Sequence, residues 1–109
     1  MLPKNKRISK DSFKTLSLQS QVFHSPHWTL RSIPSSVEGF AVLVSKKVAP
    51  KAVLRNRIRR MVYSFVGTVL SDIKKPAKNI ISAKSGAGLL SFEEQKEEIL
   101  ELFKKAGLL

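Results

Sequence analysis

The densest chemistry in this chain lies in VSKKVAPKAVLRNRIRRMVYSF, Val44 to Phe65, where Lys46, Lys47, Lys51, Arg55, Arg57, Arg59 and Arg60 are set among apolar residues. A guanidinium is planar and permanently charged, and its fork of donors can meet two phosphate oxygens at once or stack on a base. Arginines around Asn56, whose amide can hydrogen-bond a base edge or a sugar, suit ordered RNA contacts better than a lysine run would. Phe13 and Trp28 are candidate stacking platforms for unpaired nucleotides. Phe13 fits a core position in its own helical pattern equally well.

Groups for catalysis by the protein itself are scarce. His24 and His27 flank Pro26 with no third ligand or acid close in sequence, a weak pattern for a metal, and read as surface histidines. Asp11, Glu38 and Asp72 are far apart, and the remaining acids fall together in Glu93, Glu94, Glu97, Glu98 and Glu101, where they solubilise a helix. No phosphate-binding glycine motif occurs, since SGAG is too short and lacks the helix start such a loop requires. Ser45 beside Lys46 lacks an oxyanion hole and a fixing partner. The residues favour binding over bond cleavage.

The charge balance points the same way. The 109 residues carry a net charge of +12, from 20 basic and 8 acidic side chains. Such an excess opposes compaction by self-repulsion and favours a polyanionic partner, RNA before an anionic membrane. The absence of cysteine excludes a disulfide framework or a thiolate metal site and suits a reducing cytosol. No apolar run approaches the roughly 18 residues of a membrane span, so the expected setting is cytoplasmic, with no membrane partner.

The elements that must position these residues follow from periodicity. Residues 1–8 read as an irregular basic arm, and Ser9 as the N-cap of a short helix carrying Phe13 and Leu16. A strand is predicted from Trp28 to Ile33, and Glu38-Gly39 reads as the close of a hairpin into GFAVLVS, expected to be a central strand buried on both faces. Pro50 suits the first turn of a long helix running to about Ile73. Leu54, Ile58, Met61, Val62, Phe65 and Val69 form one stripe on it at about 100° per residue. Arg55 and Arg59 border that stripe, Arg57 and Arg60 lie beyond its other edge, and Asn56 faces away. A strand from about Asn79, a KSGAG loop and a final helix with a Ser91/Glu94 capping box and a Gly107 stop complete the chain. The prediction is one α+β domain over residues 1–109, a small mixed sheet of about four strands packed by a long basic helix and terminal helices.

In this order of elements, VSKKVAPKAVLRNRIRR resembles the signature of the bacterial ribonuclease P protein family. KNKRISKDSF is similar to that family's basic N-terminus and first helix, and NIISAKSGAGLLSFEEQKEEILELFKK to its last strand, loop and terminal helix. The resemblance implies an α/β sandwich with a left-handed βαβ crossover, against the usual right-handed rule. It also implies a division of labour, in which a catalytic RNA with bound Mg2+ removes the 5′ leader of precursor tRNA and the protein assists. Arg55, Asn56, Arg57, Arg60 and Lys51 would then bind the ribonuclease P RNA. Phe13, Arg31, Lys46, Lys47 and Arg59 would bind the leader. Ser17 stands where the family often has a second aromatic, and Arg31 where a strand tyrosine often lies. The other reading of a basic chain of this size is a ribosomal or other structured-RNA-binding protein with no part in cleavage. DNA is not an expected partner.

Overall fold

The computed structural model describes residues 21–36 and 38–109. The short helix expected from Ser9, with Phe13 and Ser17, lies outside the described residues. Among these residues the order is β1 (Gln21–His24), β2 (Trp28–Pro34), β3 (Gly39–Leu43), α1 (Ala52–Val69), β4 (Ala77–Ala83) and α2 (Phe92–Lys105). Single 3-10 turns follow α1 at Leu70–Asp72 and precede α2 at Ala87–Leu89.

The four strands form one mixed sheet in the order β1-β2-β4-β3. β1 pairs antiparallel with β2, β2 antiparallel with β4, and β3 parallel with β4. Two expectations are corrected here. The hairpin is β1-β2, turning at Ser25 to His27, and not a β2-β3 pair closed at Glu38-Gly39, because β4 lies between those strands. GFAVL is therefore an edge strand, although Gly39, Phe40, Ala41 and Val42 are buried as the continuous apolar run predicts. The helix supplies part of the missing strand pairing: the Val42 N–H donates to the Tyr63 hydroxyl at 3.3 Å. That contact occupies a backbone donor an open edge would present to another chain.

Both described helices pack on one face of the sheet. Trp28 and Leu30 of β2, Phe40 and Val42 of β3 and Ile81 of β4 meet Ile58, Val62 and Val66 of α1 and Ile99, Leu102 and Phe103 of α2 in one core. Trp28 is fully buried there, which removes it as a stacking platform for RNA. A large rigid indole at this position contributes more to the fold than an exposed one could. On the other face the register aligns Val22, Arg31, Ile80 and Ala41 in a row across all four strands. Ile80 and Ala41 are buried there with Ile33 packed against them.

The last helix is fixed at both ends. The Ser91 hydroxyl accepts from Glu94 N–H at 3.2 Å, and the Glu94 carboxylate accepts from Ser91 N–H at 3.2 Å, a reciprocal capping box. At the other end Gly107 turns left-handed at φ 77°, letting Leu108 N–H reach Phe103 O at 2.9 Å and Leu108 fold back into the core.

Candidate nucleic-acid interface

α1 carries two surfaces. Ile58, Met61, Val62 and Val66 are buried, with Leu54, Phe65 and Val69 packed half-buried beside them. Val66, fully buried, belongs to the stripe although the spacing analysis left it out. Lys51, Asn56, Arg57 and Arg60 are exposed, and Arg55 and Arg59 are intermediate, as expected of residues bordering the stripe. The first turn of α1 contains no acidic residue.

The arginines are not equivalent. Arg55 Nη1 donates to Ala49 O at 3.0 Å and to Pro50 O at 2.8 Å, folding back on the turn that leads into the helix. One of its nitrogens is thus committed to holding that turn. Arg59 Nη1 donates to the Asn56 Oδ1 at 3.1 Å, which orients the Asn56 amide and leaves its NH2 outward-facing for an acceptor. Arg57 and Arg60 make no side-chain hydrogen bond or ion pair with another described residue. Both line a cleft of about 330 Å³ with Met61 and Ser64 of α1 and Phe92 and Lys96 of α2.

The residues expected to hold a leader are more dispersed. Lys46 and Lys47 are exposed in the turn after β3, which is closed by Val48 and Ala49 N–H groups on Ser45 O at 3.1 Å each. Arg31 lies on the second face of the sheet between Val22 and Ile80, half-buried. β4 separates β2 from β3, so strand spacing alone puts Arg31 about 10 Å from the β3 line. Phe13 lies outside the described residues.

His27 departs from the sequence reading, because an acid does stand beside it. Its Nδ1 is 3.0 Å from Glu98 Oε1, across 71 residues of sequence. The pair ties the β1-β2 turn to α2, and Lys84 Nζ donates to Ser25 O of the same turn at 2.8 Å. This is a structural fastening. Among the described residues no three His, Cys, Asp or Glu side chains gather so as to hold a metal ion. Phe92 and Lys96 line the cleft beside Arg57 and Arg60, a placement the sequence reading did not anticipate. Their only local sign is the four-residue spacing that puts them on one side of α2.

The sequence model of the family described as Ribonuclease P matches residues 2–107. The chain is 29% identical over 115 residues to the ribonuclease P protein component of Microcystis aeruginosa, covering 99% of this chain and 96% of that protein. It is 34% identical over 95 residues to the protein of the same name from a Synechococcus species, covering 84% of this chain and 75% of that one. Its fold matches the solved RNase P protein of Staphylococcus aureus with a TM-score of 0.84 at 21% identity, over 96% of this chain and 98% of the other. A match of this length, on a chain whose long helix carries Arg55, Asn56 and Arg57 beside a buried stripe, places this chain in the ribonuclease P protein family.

Proposed function

We propose that this chain is the protein subunit of a ribonuclease P ribonucleoprotein, binding its catalytic RNA and assisting removal of the 5′ leader from precursor tRNA. The observation that carries the reading is the two-sided α1 helix. Its stripe is spent on the core, while Arg57 and Arg60 stand exposed with no hydrogen bond or ion pair to another described residue, and Asn56 is oriented between them and Arg59. Guanidinium groups so displayed serve a phosphate backbone and require no rearrangement of the fold.

The catalytic groups and Mg2+ are assigned to the RNA. Among the described residues no set of side chains gathers so as to hold a divalent ion, and the proposed cleavage step is routed through none of them. The chain's own work is electrostatic and positional. Lys51, Arg55, Asn56, Arg57 and Arg60 face the catalytic RNA, and Arg31, Lys46, Lys47 and Arg59, with Phe13, face the leader. The proposed setting is the cytoplasm; no helix among the described residues is long and apolar enough to cross a membrane.

The test is reconstitution. Protein freed of RNA should leave a precursor tRNA intact, and adding in vitro transcribed ribonuclease P RNA at physiological magnesium should restore leader removal. Robust cleavage by RNA-free protein, surviving nuclease treatment and repurification, would overturn the assignment of catalysis to the RNA.

A further inference from the structure

The cleft between α1 and α2 has a composition the arginine helix alone does not explain. Arg57 and Arg60 stand on the α1 side, Phe92 and Lys96 on the α2 side, Met61 at 7% exposure forms the floor, and Ser64 completes the lining. A single exposed phenylalanine requires no explanation. Phe92, however, is 42% exposed while lining a concave site with three cations. Glu93 meets Lys96 at 3.5 Å and is itself 83% exposed, so it screens that lysine weakly.

A core phenylalanine would be covered, and a purely electrostatic surface would gain nothing from an aromatic ring. The combination of a partly exposed aromatic ring, a buried methionine and three cations lining one cleft fits one ligand chemistry: a flat base stacked on the ring, with its phosphates held by the guanidinium and ammonium groups. About 330 Å³ accommodates one nucleotide and not a duplex. A partner protein's apolar side chain would fit the floor but would cover the Arg57 and Arg60 guanidinium groups without supplying an anion, which is costly.

We propose that this cleft binds a single unpaired nucleotide of the partner RNA, with Phe92 as its stacking platform and Arg57, Arg60 and Lys96 on its flanking phosphates. This rests on the reading of the chain as the RNA-binding subunit and adds to it a base-level contact from the second helix.

The test uses the full chain and in vitro transcribed ribonuclease P RNA, with affinity measured at several salt concentrations. Phe92→Ala is expected to weaken binding about five- to 150-fold with the salt dependence unchanged, since stacking releases no counterions. Lys96→Ala should weaken binding and flatten the salt dependence by about one unit of slope. Phe92→Trp should bind at least as tightly as the wild type, and its indole emission should be quenched by the RNA. The chain's single native tryptophan, Trp28, is fully buried and supplies a constant background. Unchanged affinity in Phe92→Ala alongside a loss in Arg57→Ala would overturn the nucleotide cleft while leaving the arginine interface standing. Absence of binding even by the wild type would overturn both. A change in sedimentation of free Phe92→Ala with RNA affinity intact would make the cleft a protein-docking surface instead. If Phe92→Ala melts, the tryptophan variant decides, and an unquenched indole overturns the proposal.

Discussion

Four arginines within six positions of α1 do different work, and the difference is set by what each guanidinium reaches. Arg57 and Arg60 make no side-chain hydrogen bond or ion pair with another described residue, so Arg57→Ala and Arg60→Ala should weaken RNA binding, leave the melting temperature nearly unchanged, and each flatten the salt dependence by about one unit. Ile58, fully buried one position away, should behave in the opposite sense. Ile58→Ala should cost about 2–5 kcal/mol of stability, measured by denaturant unfolding, before any question of binding arises. Arg55 combines both behaviours. Its hydrogen bonds to Ala49 O and Pro50 O hold the turn into the helix, so Arg55→Ala should lose about 1 kcal/mol of stability as well as RNA affinity. An Arg55→Ala protein that binds weakly but melts like the wild type would show those bonds to be energetically idle. The position of each arginine relative to the stripe was legible in the spacing, because helical geometry fixes it. Which arginine would turn back on its own loop was not, since that depends on carbonyls whose direction only the folded turn sets.

At the scale of elements, the local signals at the two ends of α2 hold, and the strand-pairing signal at Glu38-Gly39 does not. The capping box at Ser91 and the glycine stop at Gly107 are encoded within four residues, and both occur as the sequence indicates. Ser91→Ala should therefore cost about 1 kcal/mol. Gly107→Ala should cost about 1–2 kcal/mol, because φ 77° is strained for a residue with a Cβ. Chemical denaturation of the two single variants checks both, and a Gly107→Ala protein as stable as the wild type would mean the helix end relaxes without loss. Strand neighbours could not be read this way. Glu38-Gly39 looks locally like a hairpin turn, yet the chain passes it, crosses through α1 and inserts β4 between β2 and β3. Non-local hydrogen bonding and burial of Ile81 on one face and Ile80 on the other decide that order. The same reason hid Phe92 and Lys96 from sequence reasoning. They meet Arg57 and Arg60 only because α1 and α2 share a core.

For the whole molecule, the arginines of α1 proposed to meet the catalytic RNA and Arg31, proposed to meet the leader, lie on different surfaces. Arg57 and Arg60 stand on the exposed side of a helix packed against one face of the sheet, whereas Arg31 lies on the other face, in the row Val22, Arg31, Ile80, Ala41. A net charge of +12 draws any RNA to either surface, so overall affinity alone cannot distinguish them. Substrate form can. If the second face holds the leader, Arg31→Ala in the reconstituted holoenzyme should weaken binding of a precursor tRNA with a leader several nucleotides long. Mature tRNA, which has no leader, should bind as before, and so should the catalytic RNA to the free variant protein. Loss of one phosphate contact to a single strand should flatten the salt dependence of precursor binding by about 0.7 units. Arg57→Ala should show the converse, with weaker assembly on the catalytic RNA and an unchanged ratio of precursor to mature affinity once assembled. Arg31 is half-buried, so circular dichroism of the variant should accompany the binding curves. Equal losses for precursor and mature tRNA in a folded Arg31→Ala holoenzyme would remove the leader from this face and leave Arg31 as general electrostatic attraction.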